Sequence, residues 1–300
     1  MKKKIDFKFY DDIEDKVLTI SSGNELSQIE RFADLIFWID ENKKHIPLDE
    51  LVNRKAISEN KNKEFEIFKL LSRAAKNNAT PLFKAGNIPQ SDKRNVLVTI
   101  WQGLINKKAK DLHNLPQYKN NVDKYFISDL IKKSIDISFI PSISDYLKYS
   151  GIGFIIEPTL PGLGVDGLVY KNKKDNPIIA LSLRYDRLDN FWFTLAHELS
   201  HIALHYERLD NAIIEDLDLT DISEIEDEAN YFASEAIISS SVWRRCEFRR
   251  KQTEDSLNEL ANSQGIHPII LAGKLRNETS NYELFSKLVH KYSVRELLSK

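Results

Sequence analysis

The sequence has very little cysteine, glycine and proline. Cys246 is the only cysteine among 300 residues, which excludes an internal disulfide and a metal site built from several thiolates, and favours a reducing compartment. With 10 glycines and 9 prolines the chain is not collagen-like, and its 42% hydrophobic content argues against disorder. No apolar run approaches the roughly 18 residues of a membrane-spanning helix, and the N-terminus lacks the apolar core of a secretory signal. We therefore expect a cytoplasmic, globular protein without a membrane partner.

The chain also lacks a strong excess of charge of either sign. Its formal net charge is −2, from 43 basic and 45 acidic residues, so no overall attraction to nucleic acid is predicted. One segment, Leu260–Leu271, resembles a helix-turn-helix and would bring Lys274 and Arg276 near DNA. Its second helix would begin at His267 and Pro268 without a side chain suited to reading bases, so direct DNA binding is not favoured.

Apolar residues recur at helical spacing through the first part of the chain. The spacing predicts helices over residues 24–41, 48–55, 60–76 and 92–112, with a loop over 77–91. We expect residues 1–125 to form a helical N-terminal region whose role the sequence does not indicate. Residues 126–300 are expected to form the domain that carries the chemistry, with a helical C-terminal extension.

The character of the sequence changes near residue 150. Three short apolar runs bounded by turn residues predict strands over 152–156, 167–170 and 177–183, and the pattern after Tyr185 is helical. The sequence therefore predicts a mostly helical α+β protein with a small sheet packed against helices. The third strand comes directly before the most distinctive helix, and we expect it to offer an edge to an extended substrate.

That helix contains the strongest chemical signal in the chain. His197-Glu198-Leu-Ser-His201 places two imidazoles four residues apart, which on a helix puts them on nearly the same face, about 6 Å apart along the axis. Two histidines so placed can bind one Zn²⁺ ion, and Glu198 can accept a proton from zinc-bound water and pass it to a leaving amine. We therefore predict His197 and His201 as metal ligands and Glu198 as the catalytic base.

A third ligand is expected from the acidic helix that follows. Ser223, with Glu226 three residues later, forms a capping-box pattern, so this helix is predicted to begin at Ser223. Glu226 and Glu228 border the apolar stripe of the helix from opposite sides. The pattern alone does not choose between these two carboxylates.

His205 lies two turns beyond His197, about 12 Å along the axis, which is too far to close the same metal site. We expect it to support the site or to pack beside it. A donor that stabilises the oxyanion is also expected in a peptidase, and Tyr231 and His205 are the candidates.

At these residues the chain resembles the ImmA/IrrE family of zinc metallopeptidases. The matching motifs are His197-Glu198-Leu-Ser-His201-Ile-Ala-Leu-His205 and Glu228-Ala-Asn-Tyr-Phe-Ala233. The resemblance implies a gluzincin-type fold, whose small sheet packs on the zinc-binding helices, and it selects Glu228 as the third ligand. Residues 180–193 are similar to a subgroup fused to HigA-type antitoxin regulators, and the whole resemblance extends over roughly residues 65–275.

The resemblance also implies a function. It indicates a zinc-dependent endopeptidase that cleaves a specific regulatory protein, such as a cognate transcriptional repressor. The alternative is a non-catalytic regulator or a toxin–antitoxin-type interaction protein that retains a structural metal site. The presence of Glu198 favours the enzyme, because a purely structural site would not need a base.

Overall fold

The computed structural model describes residues 25–76, 92–112, 114–210, 212–214 and 220–299. The chain divides into two compact units between Lys107 and Lys108. This division lies earlier in the chain than the expected boundary after residue 125, and the roles of residues 1–125 and 126–300 stay predictions. None of the helices within the described ranges is long and apolar enough to cross a membrane.

The first unit is helical where it is described, in agreement with the spacing of its apolar residues. The helices are α1 (Glu25–Asn42), α2 (Leu48–Asn53), α3 (Lys63–Lys76) and α4 (Lys93–Ala109). Every residue of α4 from 96 to 106 is buried. Gly103 allows α4 to approach α3 closely, since a Cβ at this position would lie 3.0 Å from a methyl carbon of Leu71. The loop expected over 77–91 lies outside the described residues.

The second unit combines a small sheet with many helices, which confirms the predicted α+β class. The strands are β1 (Gly153–Ile156), β2 (Gly167–Lys171), β3 (Pro177–Leu181) and β4 (Ile213–Ile214). The helices are α5 (Lys124–Lys132), α6 (Ile143–Tyr149), α7 (Leu188–His205), α8 (Thr220–Ile237), α9 (Ser240–Arg245), α10 (Phe248–Lys251), α11 (Glu254–Gln264), α12 (Pro268–Thr279), α13 (Ser286–Val289) and α14 (Val294–Leu298). Short 3-10 segments cover Lys43–His45, Lys110–Leu112, Lys133–Ile135, Ile137–Ser142 and Tyr206–Arg208.

The sheet has the strand order β1-β3-β2-β4. Strand β1 runs parallel to β3, while β2 is antiparallel to β3, with Gly167 opposite Leu181. The three predicted strands are confirmed, but the two-residue β4 was not expected. Strand β3 lies between β1 and β2, so the expectation that it offers an edge to substrate is wrong.

Helix α7 is the central helix of the second unit. Phe191, Trp192, Leu195 and Leu199 are each no more than 1% exposed, so the helix is apolar on several sides at once. It packs against β2 and β3 of the sheet and against α5, α8 and α12. Polar side chains on α7 are therefore held in a buried environment, where each one needs a partner.

The helix that follows the acidic segment differs from the sequence prediction at its start. Helix α8 begins at Thr220, so Ser223 lies inside the helix and the predicted helix start at Ser223 is wrong. Farther along, α11 ends at Gly265, whose positive φ of 66° suits a helix C-terminus, and α12 follows. Arg276 on α12 is 3% exposed, and Lys274 contacts Ser234 on α8, so neither side chain projects outward as a DNA-reading residue would.

Candidate metal centre

The two predicted histidines of α7 face each other at a buried point. His197 and His201 are each 1% exposed, and their Nε2 atoms lie 3.0 Å apart. Their rings are nearly perpendicular, at 83°, with centroids 4.6 Å apart. Two nitrogens bound tetrahedrally to one zinc ion lie about 3.3 Å apart, given Zn–N bonds of about 2.05 Å. The spacing of these imidazoles therefore suits a single metal ion.

The third side chain at this point is Glu226 of α8, not Glu228. One carboxylate oxygen of Glu226 lies 3.0 Å from His197 Nε2, and the other lies 3.4 Å from His201 Nε2. One ligand atom from each of the three residues falls within 4.8 Å of the others. The expected assignment of Glu228 as third ligand is wrong in the structure, because its side chain is 65% exposed and bonds to His205.

The periodicity of α8 explains this correction. Glu226 shares one helix face with Ala229, Asn230 and Ala233, which follow at intervals of three or four residues, and α8 turns this face towards α7. Glu228 is two residues away from Glu226, which rotates its side chain to another side of the helix. Since the helix begins at Thr220, Glu226 is also not engaged as a capping residue.

The second nitrogen of each metal-facing imidazole is held by a neighbour. Asn230 Oδ1 lies 3.0 Å from His197 Nδ1, so this nitrogen donates to the amide oxygen. His205 Nε2 lies 2.9 Å from Glu228 Oε2 and donates to that carboxylate, which leaves His205 Nδ1 as an acceptor for His201 Nδ1 at 3.1 Å. Both metal-facing Nε2 atoms are thereby left without a proton.

The charges of the side chains at the site favour binding of a cation. Burial lowers the pKa of His201 to about 4, against a smaller opposite effect of Glu226, so its imidazole is neutral near pH 7. Burial acts to raise the pKa of Glu226, but the neighbouring imidazoles of His197 and His201 outweigh it and lower the pKa, so the carboxylate is ionised. A proton on Nε2 of either imidazole could form a hydrogen bond with Glu226. The contacts with Asn230 and His205, however, place the imidazole protons on the Nδ1 atoms.

A divalent metal fits this arrangement. Neither oxygen of Glu226 has a partner with hydrogen-bond geometry among the described residues, although both are buried. An anionic carboxylate and two imidazole lone pairs therefore converge on one point and repel one another unless a cation lies between them. Two histidines and one carboxylate are a donor set that zinc takes in catalytic sites, where a further position stays open.

Glu198 is also buried beside this cluster, at 1% exposure. Its carboxylate lies directly against the backbone of Gly167, at the start of β2. A Cβ at position 167 would come within 2.9 Å of Glu198 Cδ and 3.1 Å of Glu198 Cγ, which is closer than side chains pack. Only glycine gives Glu198 this place between α7 and the sheet.

A family model matches the part of the chain that contains this cluster. Residues 148–275 match the model of the family Peptidase_M78, whose description is the IrrE N-terminal-like domain. This segment belongs to that family. The match confirms the resemblance to the ImmA/IrrE family and identifies a peptidase-family domain that contains the histidines, Glu198 and Glu226. Comparison with curated proteins and with solved structures gives no match.

Within the IrrE N-terminal-like domain, the oxyanion candidates differ in their placement. His205 is 6% exposed and bonds to His201 on the side away from Nε2, so it supports a ligand instead of facing a substrate. Tyr231 is 65% exposed and stays a prediction. The sequence did not reveal the part played by Asn230 and Gly167. Asn230 could have been found from its position four residues after Glu226, on the same helix face.

Proposed function

We propose that the second unit is a zinc-dependent endopeptidase, with zinc held by His197, His201 and Glu226 and with Glu198 as the proton-transferring base. The observation that carries the proposal is the convergence of two proton-free Nε2 atoms, 3.0 Å apart, with the carboxylate of Glu226 at 3.0 and 3.4 Å. Neighbours that fix the imidazole tautomers support it, because a structure without a metal would gain nothing from that arrangement.

The residues around the cluster have distinct parts in the reaction. Zinc, when bound, lowers the pKa of a water molecule and polarises the carbonyl of a peptide bond. Glu198 accepts the proton that this water gives up and passes it to the nitrogen of the departing amine. Gly167 keeps the Glu198 carboxylate in place. Asn230 and His205 hold the two imidazoles in the orientation that leaves Nε2 free.

We further propose that the substrate is a protein, and specifically a regulatory protein such as a transcriptional repressor. This part rests on the family to which residues 148–275 belong, since the ImmA/IrrE resemblance implies such substrates. We place the reaction in the cytoplasm, where the single cysteine is compatible with reducing conditions.

Peptide cleavage by matched variants tests the enzyme directly. Zinc-loaded wild-type protein is incubated with a proteome-derived peptide library, and new termini are identified by mass spectrometry. Glu198→Gln keeps the size of the side chain and all three ligands, so it should bind zinc, unfold at the same urea concentration and produce no new termini.

The opposite results have clear meanings. If Glu198→Gln cleaves peptides as well as wild type, Glu198 is not the base. If wild type binds zinc tightly but cleaves nothing, the site is structural and the alternative of a non-catalytic interaction protein holds.

A further inference from the structure

A cavity of about 1180 Å³ adjoins the candidate metal centre. Its walls come from the first half of α7, from α8 and from α12. Two of its lining residues also contact a proposed ligand: Asn230 Oδ1 lies 3.0 Å from His197 Nδ1, and the Phe193 ring centroid lies 6.5 Å from that of His197. Asn230 contacts His197 at Nδ1, on the side away from Nε2, so a peptide bound for cleavage has to extend past this imidazole to place a side chain in the cavity.

Two basic side chains of α12, Lys274 and Arg276, line the cavity. Lys274 donates a hydrogen bond to the hydroxyl of Ser234, and its Nζ lies 5.3 Å from the centroid of the Trp243 ring. Arg276 is 3% exposed and donates through Nη2 to the carbonyl of Tyr282 at 2.6 Å, while its buried Nε and Nη1 have no hydrogen-bond partner. Neither side chain forms an ion pair with a carboxylate among the residues that the structure describes.

The carboxylates around the cavity are already engaged by other cations. The pairs are Asp189 with Arg187 at 3.0 Å, Glu278 with Arg249, Asp166 with Arg184 at 3.5 Å, and Glu235 with Lys124 at 3.1 Å. Lys274 and Arg276 are outside these ion pairs. Glu278 and Glu235 still act on the charge of Lys274, and Asp189 acts on that of Arg276. The buried guanidinium of Arg276 has unused N–H groups, and an anion bound beside it would lower the free energy of the protein.

The distance from the metal centre limits where such an anion could come from. Lys274 is bonded to Ser234, which lies one turn of α8, about 6 Å, beyond Asn230. An extended peptide advances about 3.3 Å per residue. Because Asn230 itself lies behind the His197 imidazole, the metal-facing Nε2 is farther still, and a side chain about three or four residues from the scissile bond can reach Lys274.

We propose that this cavity is the subsite in which the peptidase binds an aspartate or glutamate side chain of its substrate. Lys274 donates to the substrate carboxylate at the cavity wall, and Arg276 adds a second positive charge from behind. The inference rests on the proposed peptidase function, because it requires a peptide at the neighbouring site.

Peptide binding to a variant that cannot cleave tests the subsite without relying on catalysis. The zinc-loaded Glu198→Gln protein is applied to an array of short random peptides in which Asp and Glu are compared with Asn and Gln at each position. We expect binding about tenfold tighter for the acidic peptides at one or two adjacent positions, as for a charged hydrogen bond. In the same background, Lys274→Glu should replace this preference with one for Lys and Arg.

Two further variants make the result specific. Lys274→Met keeps an aliphatic side chain over Trp243 and should lose the preference without gaining another, whereas Lys132→Glu, at an exposed ion pair with Asp129, should change nothing. Equal binding of acidic and neutral peptides, or a preference that survives both Lys274 variants, would overturn the inference. Failure of the peptidase proposal would be seen separately, as acidic peptides that bind while wild type cleaves none.

Discussion

Gly167→Ala tests the placement of the catalytic base without touching the base or any metal ligand. A Cβ at position 167 would lie 2.9 Å from Glu198 Cδ and 3.1 Å from Glu198 Cγ, whereas carbon atoms in contact prefer about 3.5–4.0 Å. The carboxylate must therefore move by about 1 Å, and a displacement of this size can lower catalysis by about 100-fold. The backbone can accept alanine, because Gly167 is not one of the described glycines with a positive φ.

The assay compares kcat/KM on a peptide identified from the library, the zinc content and the urea unfolding curve. We expect a loss of about 100-fold in kcat/KM, unchanged zinc content and a destabilisation of about 1 kcal/mol from overpacking. Gly153→Ala is the matched control, since its Cβ would meet the aliphatic side chains of Ile178 on β3 and of Leu112 in a 3-10 segment instead of Glu198. Wild-type activity in Gly167→Ala would refute the assigned position of the base.

Three further predictions concern the support of the imidazoles and their protonation. His205→Ala should weaken zinc binding by about 10- to 100-fold in a chelator competition, because His201 loses the group that fixes its tautomer; unchanged affinity would contradict this support. Asn230→Ala should weaken zinc binding similarly, whereas Asn230→Asp, which still accepts from His197, should retain it. In metal-free protein, burial lowers the pKa of His201 from 6.5 to about 4. Between these two pH values the unfolded state binds a proton that the folded state does not, so the free energy of unfolding decreases as the pH is lowered. Urea unfolding should show a loss of about 2 kcal/mol between about pH 6.5 and pH 4.5 that His201→Gln lacks.

The sequence predicts much of this fold because its periodicities are strong. Helix α7 and strands β1 to β3 lie where apolar spacing and turn residues place them. Strand β4 has only two residues, which is too short to leave a pattern. The internal position of β3 depends on pairing between distant segments, and no local signal in 177–183 distinguishes an edge strand from a central one.

The candidate site was predictable where all its residues share one helix. His197, Glu198 and His201 are related by the helical repeat alone, so their grouping follows from spacing. The third carboxylate comes from another helix, and its identity depends on how α8 is rotated against α7. The family resemblance selected Glu228, and an error of a few residues at the start of α8 supported that choice, because it made Glu226 look like a capping residue. Packing of Ala229 and Ala233, which are fully buried, fixes the rotation that brings Glu226 inward.

Zinc content in two matched variants tests the central claim most directly. Purified wild-type protein, Glu226→Gln and Glu228→Gln are loaded with zinc, dialysed and measured by atomic emission, with circular dichroism as a check on folding. We predict about one zinc per chain for wild type and for Glu228→Gln, and loss of tight zinc binding for Glu226→Gln. The reason is that Glu226, and not Glu228, has a carboxylate oxygen within 4.8 Å of a nitrogen of both imidazoles. A folded wild-type protein that takes up no zinc, or loss of zinc in Glu228→Gln but not in Glu226→Gln, would contradict the assigned metal centre.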